Sequence, residues 1–268
     1  MADREERVLR VGAFQFCGSA HMQANAAAIL RGMRRAARRG VRLLGLQEGA
    51  LTGYVGVDRD ELVDLDRRAV TAATRTIAAE AARLGLYVAL GTTAFRRGRA
   101  YNSLRLLGPD GRSCGTYAKR ALYGDGARHY AAGASPGRMH RVDGVRVGLR
   151  ICFEFRFPEY FRELLARRAQ LAVVAFSMNG TRTDKLPVAR AHLVSRAAEN
   201  GLWILAVNNV NGPQNAPTCL VDPAGRIAAE APSDREALLV GDVTISKPDQ
   251  VQASIVAHAR SLCAKRNT

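Results

Sequence analysis

The segment that most constrains this chain is an apolar run that ends in a cysteine and leads into a helix. Residues 145–151 predict a buried strand, Cys152 follows them, and Pro158 precedes a helical pattern over residues 159–169. Proline favours the first turn of a helix, where its missing N–H is not required. A turn at this point presents a thiol at the sheet edge beside a backbone N–H, which is the arrangement that a thiolate nucleophile needs. A buried core cysteine gives the same local pattern, so the rest of the chain must decide between the two.

Strand and helix patterns alternate along most of the chain. Further strands are predicted at residues 9–16, 41–46, 86–93, 171–176, 202–208 and 237–243, and helices at 23–39, 67–83 and 186–200. The turns at residues 108–111 and 222–225 each contain Pro and Gly between two short strand patterns, which predicts hairpins (101–107 with 113–117, and 218–221 with 226–230). No linker interrupts this order. We therefore expect one domain over residues 1–268, with mixed sheets covered by helices and a polar tail from residue 246.

Composition excludes several classes of protein. Hydrophobic residues make up 47% of the 268 residues and charged residues 24%, as in ordinary globular proteins. The chain has no apolar run of about 18 residues, as a membrane span requires, and no signal-peptide pattern. We therefore expect a cytoplasmic protein with no membrane partner. The five cysteines are scattered and no pair has metal-ligand spacing, so neither a disulfide framework nor a metal site is expected.

The formal net charge of +16 raises the question of a nucleic-acid partner. The excess is mostly arginine spread along the chain, aromatic residues are only 6%, and no basic run is interleaved with the aromatic side chains that single-strand binders use. We interpret the arginines as solvated helix faces and loop ends, and we expect no nucleic-acid partner. Attraction of an anionic surface or substrate stays open.

Three chemically active residues follow predicted strands. Glu48 follows the strand at 41–46, Lys119 follows the hairpin strand that ends at residue 117, and Cys152 follows the strand at 145–151. Functional groups of open α/β sheets gather beyond the carboxyl ends of strands. A carboxylate that accepts the thiol proton, an ammonium that stabilises negative charge and the N–H of Phe153 together suit acyl transfer. A Glu or a Lys at a strand end, taken alone, is more typical of a solvated surface residue.

The segments around these residues resemble the nitrilase superfamily of carbon–nitrogen hydrolases. The resemblance lies in three motifs, which occur in the family's order: Leu46-Gln-Glu48-Gly-Ala-Leu-Thr-Gly-Tyr54, Tyr117-Ala-Lys119-Arg-Ala-Leu122 and Val147-Gly-Leu-Arg-Ile-Cys152-Phe-Glu-Phe-Arg-Phe-Pro-Glu159. Supporting matches are Tyr101-Asn-Ser103, Arg196-Ala-Ala-Glu-Asn200, residues 208–212 and residues 222–225. Together they cover residues 9–245. Three motifs in register identify Cys152 as the expected nucleophile rather than a core residue.

The resemblance implies an α/β fold of the four-layer αββα sandwich type. It also implies a Glu48–Lys119–Cys152 triad, a thioester intermediate, no cofactor and no metal. The family further implies a homodimer or larger homo-oligomer, in which the tail at residues 246–268 contacts a partner subunit. The substrate class that it implies is a small-molecule amide.

Three positions depart from the family pattern. The family usually has Pro at the position of Gln47 and His at that of Ala121, and both positions look peripheral to the chemistry. The family also has a second Glu in the loop after its lysine, but residues 122–133 of this chain contain no Glu. Asp125 is the only acid in that loop and is a candidate fourth acid. An Asp-Gly turn without catalytic function explains it equally well.

The expected substrate pocket contains Tyr54, Tyr123, Phe153, Met178 and Asn179, together with Asp125 and Ser177. The motifs look most like the branch of the family that hydrolyses small aliphatic or ω-amino amides. We therefore expect an amidase that releases ammonia from a small carboxamide. An N-carbamoyl amine hydrolase or a nitrilase is the alternative within the family. A catalytically impaired binding protein is the alternative outside it, prompted by the charge and the missing Glu.

Overall fold

The computed structural model describes residues 6–181 and 185–265, and it contains two six-stranded β-sheets with helices outside them. The strands are β1 (Arg7–Gln15), β2 (Leu43–Leu46), β3 (Tyr87–Arg96), β4 (Arg99–Leu107), β5 (Ser113–Ala118), β6 (His140–Val142), β7 (Val145–Ile151), β8 (Leu171–Ala175), β9 (Trp203–Val207), β10 (Cys219–Val221), β11 (Ile227–Glu230) and β12 (Ala237–Ile245). The helices are α1 (Met22–Arg38), α2 (Arg67–Leu84), α3 (Gly126–His129), α4 (Pro158–Ala166), α5 (Lys185–Asn200) and α6 (Gln250–Lys265). A 3₁₀ turn at Cys152–Arg156 follows β7 directly.

The two sheets have matching organisation. The first has the strand order β12-β1-β2-β3-β4-β5 and the second β11-β10-β9-β8-β7-β6. In the first, β1, β2 and β3 run parallel; in the second, β7, β8 and β9 do. The carboxyl ends of parallel neighbours lie at one edge of each sheet, which is where Glu48 and Cys152 follow their strands.

Three apolar layers separate the secondary-structure layers. Side chains such as Leu43 and Val173 fill the space between the two sheets. Ile29 and Ile77 pack α1 and α2 onto the outer face of the first sheet, and Leu193 packs α5 onto that of the second. This arrangement confirms the four-layer αββα sandwich. The sheets approach closely at Gly45, where a Cβ atom would lie 2.9 Å from the Val207 side chain.

Most predicted strands and helices are present with boundaries shifted by a few residues, and three elements are additional. These are β6, the short α3 and α6, of which α6 lies in the segment predicted to be a polar tail. Helix α6 packs on its own chain: Gln252 donates to the Ala198 carbonyl oxygen (3.0 Å), and Ala259 is buried. Its outer face carries exposed apolar residues. The apolar residues of α6 are therefore divided between a face that packs on the chain and a face that is exposed, and the sequence shows no single apolar stripe. In the described residues, no helix has the length and apolar character to span a membrane.

Candidate active site

A buried ion pair occupies the edge where the two sheets meet. The Lys119 Nζ atom lies 2.7 Å from Glu48 Oε1, and both side chains are almost completely excluded from solvent. The same oxygen accepts a hydrogen bond from Asn102 Nδ2 (2.6 Å), and Oε2 accepts one from the Ser177 N–H (3.0 Å). Glu48 is therefore fixed by contacts from both sheets, since Asn102 lies in β4 and Ser177 follows β8.

The backbone on either side of Glu48 is also fixed. The Glu48 N–H donates to the carbonyl oxygen of Phe176, which links β2 to the second sheet. The Gln47 side chain accepts from the Phe16 N–H (3.2 Å) and donates to the Phe16 carbonyl oxygen (2.9 Å). Gln47 thus anchors the end of β2 to the end of β1, which gives this departure from the family pattern a structural role.

Cys152 begins the 3₁₀ turn at the end of β7 and has a φ angle of 45°. Positive φ is uncommon for a residue with a Cβ atom and costs on the order of 1–3 kcal/mol, so the surrounding structure must hold it. This conformation turns the side chain out of the strand direction. The Glu48 carboxylate and the Ser177 N–H lie close enough to the thiol to act on its pKa. Cys152 is only partly buried.

The electrostatics of the site favour a neutral thiol beside a charged ammonium. Burial, together with the Glu48 charge, raises the pKa of the Cys152 thiol to about 12, and the Lys119 charge partly opposes both effects. Burial alone would lower the pKa of Lys119, but the negative charge of Glu48 and its hydrogen bond raise it above the ordinary value. At neutral pH the site therefore contains a thiol that needs a base, a carboxylate within reach of it, and a permanent cation.

Asp125 pairs with an exposed arginine. Its carboxylate is about half exposed and pairs with Arg128 at 2.9 Å, at the start of the short α3. The carboxylate that contacts the Lys119 ammonium is that of Glu48. Asp125 thus has a surface partner in the structure, and its role as a fourth acid stays a prediction.

The residues expected in the substrate pocket divide into three groups. Tyr54 is buried, and its ring centroid lies 5.4 Å from Lys119 Nζ, so it packs against the ion pair. Tyr123 is 63% exposed, and its ring packs at a tilt against Phe153 with a centroid distance of 5.0 Å. These two rings form an aromatic rim next to Cys152.

Met178 and Asn179 lie in the loop after β8, one and two residues beyond Ser177. The Met178 N–H donates to Asn208 Oδ1 at 2.9 Å, and Asn179 Nδ2 donates to the Gly212 carbonyl oxygen at 3.3 Å. Asn179 Oδ1 is buried and has no hydrogen-bond partner. The Asn208 and Asn179 side chains thus hold this loop in place next to Ser177.

Two polar residues at the site carried no functional prediction: Asn102 and Glu154. Asn102 lies in the segment Tyr101-Asn-Ser103, which matched the family pattern. Its position in the sequence, 54 residues after Glu48, does not predict the hydrogen bond between the two side chains. Glu154 is fully buried and accepts hydrogen bonds from the segments on both sides of the site. Within the described residues, no group of three or more His, Cys, Asp or Glu side chains is suited to hold a metal ion.

The sequence profile of the carbon–nitrogen hydrolase family matches residues 10–252. The chain belongs to this family. This carbon–nitrogen hydrolase is therefore an enzyme, and its predicted membership in the nitrilase superfamily is confirmed.

Curated relatives of this carbon–nitrogen hydrolase include two amidases. It is 27% identical over 219 residues to the 2-oxoglutaramate amidase of Bacillus subtilis (strain 168), a match that covers 80% of this chain and 82% of the relative. It is 31% identical over 199 residues to an (R)-stereoselective amidase of a Pseudomonas species, covering 72% and 69%.

A solved structure has the same fold. It is a variant of the amidase from Nesterenkonia sp. AN1 that shows the result of Michael addition of acrylamide at the active-site cysteine. The TM-score is 0.82 at 24% identity, and the match covers 97% of this chain and 100% of that one.

Proposed function

We propose that this enzyme hydrolyses small aliphatic carboxamides to the carboxylic acid and ammonia through a thioester on Cys152. The observation that carries the proposal is the position of Glu48, whose carboxylate binds the Lys119 ammonium and reaches the Cys152 thiol in one buried site. The names of the amidase relatives support the same reaction class.

The first half of the reaction forms the thioester. Glu48 takes the thiol proton as Sγ attacks the amide carbonyl carbon, and the carbonyl electrons move onto the oxygen. The Lys119 ammonium and the Phe153 N–H stabilise that oxyanion. When the tetrahedral intermediate collapses, Glu48 gives its proton to the nitrogen, the C–N bond breaks and ammonia leaves.

The second half releases the acid. Glu48 takes a proton from water, and the resulting hydroxyl attacks the thioester carbon. The C–S bond then breaks, Cys152 recovers its proton from Glu48, and the carboxylic acid leaves. The sum is one amide and one water converted to one acid and one ammonia, without any added redox partner.

Substrate size is proposed from the surroundings of the thiol. Tyr54 closes the site behind the ion pair, while the rim of Tyr123 and Phe153 leaves an apolar, aromatic approach to Cys152. This environment suits a short apolar acyl chain, with the amide group directed to the charged end. The adduct in the Nesterenkonia amidase, formed by a three-carbon amide reagent, is in keeping with that size.

The test is a substrate panel of short aliphatic amides, ω-amino amides, N-carbamoyl amines and nitriles. Ammonia release is measured for the wild type, Cys152→Ala and the control Cys17→Ala, which removes an exposed cysteine that is not part of the proposed triad. Ammonia from the aliphatic amides, an acyl mass on the Cys152 peptide, and loss of both only in Cys152→Ala are expected.

Other outcomes of the panel assign other functions. Ammonia from nitriles or N-carbamoyl amines alone would replace the proposal with that branch of the family. Turnover that survives in Cys152→Ala would refute the mechanism. No ammonia from any substrate, together with a Cys152 that resists alkylation, would favour the alternative of a catalytically impaired binding protein.

We also propose that the enzyme is a homo-oligomer in which α6 contacts a second copy. The outer face of α6 exposes Val251 (70%), Ile255 (42%) and Leu262 (52%), which lie on one side of the helix. An apolar stripe of this kind marks an interaction surface. Sedimentation of the wild type and of Val251→Glu/Ile255→Glu tests it: a dimer or larger species that dissociates in the variant is expected, and a wild-type monomer would refute it.

The proposed location is the cytoplasm. All five cysteines are free in the structure, and a nucleophilic thiol functions only when it is reduced. The fraction that retains the protein after gentle cell lysis tests this location.

A further inference from the structure

One carboxylate outside the triad lies between the two backbone segments that carry Lys119 and Cys152. Glu154 Oε1 accepts hydrogen bonds from the Arg120 N–H (2.7 Å) and the Tyr117 hydroxyl (2.7 Å). Its Oε2 accepts one from the Ile151 N–H (2.8 Å). Arg120 directly follows Lys119, and Ile151 directly precedes Cys152, so one side chain contacts the neighbours of both reactive residues.

These contacts join the two sheets at the site. Tyr117 lies in β5 at the edge of the first sheet, and Ile151 is the last residue of β7 in the second. Glu154 itself lies in the 3₁₀ turn and has no exposed surface. A link of this kind sets the separation between the strand end that supplies the ammonium and the strand end that supplies the thiol.

The same carboxylate supports the unfavourable backbone at Cys152. Cys152, with its positive φ angle, lies between Ile151 and Glu154 in the sequence. The hydrogen bond from the Ile151 N–H to the Glu154 carboxylate therefore closes over Cys152. A conformation of this kind persists only where neighbouring contacts hold it. Glu154 supplies one such contact directly across the strained residue.

The contacts of Glu154 match the ionised carboxylate. Three donors converge on its two oxygens, and their hydrogen bonds favour the charged form against burial, which raises the pKa of Glu154. An amide in this place would present an NH₂ group to at least one of these donors. Because the group is buried, a donor left without an acceptor there is costly.

We propose that Glu154 is a positioning residue, which sets the separation of the Lys119 ammonium and the Cys152 thiol through the N–H groups of Arg120 and Ile151. The effect on turnover rests on the proposed function, whereas the effect on thiol reactivity does not. Misplacement of a reacting group by about 1 Å costs up to about 100-fold in rate, so the loss of this positioning is expected to have a measurable effect on kcat.

The variants are Glu154→Gln, Glu154→Asp and the matched control Glu163→Gln. Glu163 is a carboxylate of the same charge network that binds the Arg120 and Arg150 side chains but neither backbone N–H next to the triad. Each variant is compared with the wild type in kcat, KM, thermal midpoint and the pH profile of Cys152 alkylation by iodoacetamide, followed on the Cys152 peptide by mass spectrometry.

For Glu154→Gln we expect kcat to fall about 100-fold with KM within about threefold, and Cys152 alkylation to change at least about tenfold with an altered pH profile. Glu154→Asp, which keeps the charge, is expected to recover part of both. Glu163→Gln is expected to lower the thermal midpoint but to keep kcat and alkylation within about threefold of the wild type.

Two results would overturn the proposal: Glu154→Gln with wild-type kcat and alkylation, or Glu163→Gln with equal losses of both. If Glu154→Gln does not fold, Tyr117→Phe removes one donor and retains the carboxylate; a kcat lowered several-fold is expected, and unchanged kcat and alkylation would refute the proposal. A wild type that hydrolyses no amide would refute the proposed function alone, because the alkylation comparison still decides the role of Glu154.

Discussion

The Lys119 ammonium lies 2.7 Å from the Glu48 carboxylate, and neither side chain has more than 1% of its surface exposed. Burying two charges in this way is costly unless their remaining hydrogen-bonding capacity is also used. For Glu48 this capacity is used, because its carboxylate also accepts hydrogen bonds from the Asn102 side chain and the Ser177 N–H. The pair is therefore a specialised polar site within an otherwise apolar interior, and removing one member leaves the other charge without compensation.

This coupling predicts non-additive effects on stability. Glu48→Gln leaves the Lys119 ammonium buried without its carboxylate, and we expect the free energy of unfolding to fall by about 3–5 kcal/mol. Glu48→Gln/Lys119→Met removes the isolated charge, so its loss should be smaller than the sum of the two single losses. Urea unfolding of Glu48→Gln, Lys119→Met and the double variant measures these free energies, and strictly additive losses would contradict the coupling.

The positive φ angle of Cys152 predicts an unusual order of stability. Cys152→Gly and Cys152→Ala both remove the proposed nucleophile, but only glycine adopts this conformation without strain. We expect Cys152→Gly to be more stable than Cys152→Ala by about 1 kcal/mol, although glycine normally destabilises. Thermal unfolding of the two inactive variants checks this, and a less stable glycine variant would contradict the strained geometry.

The raised pKa of the Cys152 thiol predicts little thiolate in the free enzyme at neutral pH. Burial and the neighbouring Glu48 charge raise that pKa to about 12. Thiolate absorbance near 240 nm, taken as the difference between wild type and Cys152→Ala, should stay absent at pH 7 and rise only in strongly alkaline solution. A difference signal that titrates near pH 7 would show a pre-formed thiolate, and Glu48 would then not be needed to remove the proton.

The surface position of Asp125 predicts that catalysis does not depend on its charge. Its carboxylate pairs with Arg128 and is about half exposed. We expect Asp125→Asn to retain kcat within about threefold and to change stability by less than about 1 kcal/mol, as exposed ion pairs usually do. Arg128→Gln is the matched control, since it breaks the same pair from the other side. A loss of kcat confined to Asp125→Asn would restore the fourth-acid hypothesis.

His140 predicts a loss of stability in mild acid. Burial, together with Arg138 and Arg167, lowers its pKa to about 4 from an ordinary value of 6.5. The unfolded chain therefore binds a proton at His140 more readily than the folded chain does. The free energy of unfolding is unaffected by this group above pH 6.5 and decreases as the pH falls from 6.5 towards 4. This loss amounts to about 3 kcal/mol at most. Urea unfolding at pH 7 and pH 4.5 should show a smaller difference for His140→Gln than for the wild type; equal differences would refute the role.

Local patterns in the sequence were sufficient for most of the fold. The alternation of apolar strands with helices predicted mixed sheets covered by helices, the family resemblance implied the four layers, and Pro158 correctly marked the start of α4. Helix α6 was missed because its apolar residues divide between a face that packs on its own chain and a face that is exposed. The two stripes together resemble a polar, unpatterned tail, and only the packing partner reveals which residues are buried.

The sequence by itself determined that Glu48, Lys119 and Cys152 follow strand ends, and their motifs determined the family. Whether those ends meet depends on the pairing of two separate sheets, which no local pattern encodes. The tertiary structure decided that Glu48 binds Lys119, that Asp125 binds Arg128 instead, and that Cys152 adopts a positive φ angle. It also decided that Glu154 joins the two sheets, because hydrogen bonds between distant segments depend on where the folded chain brings their atoms.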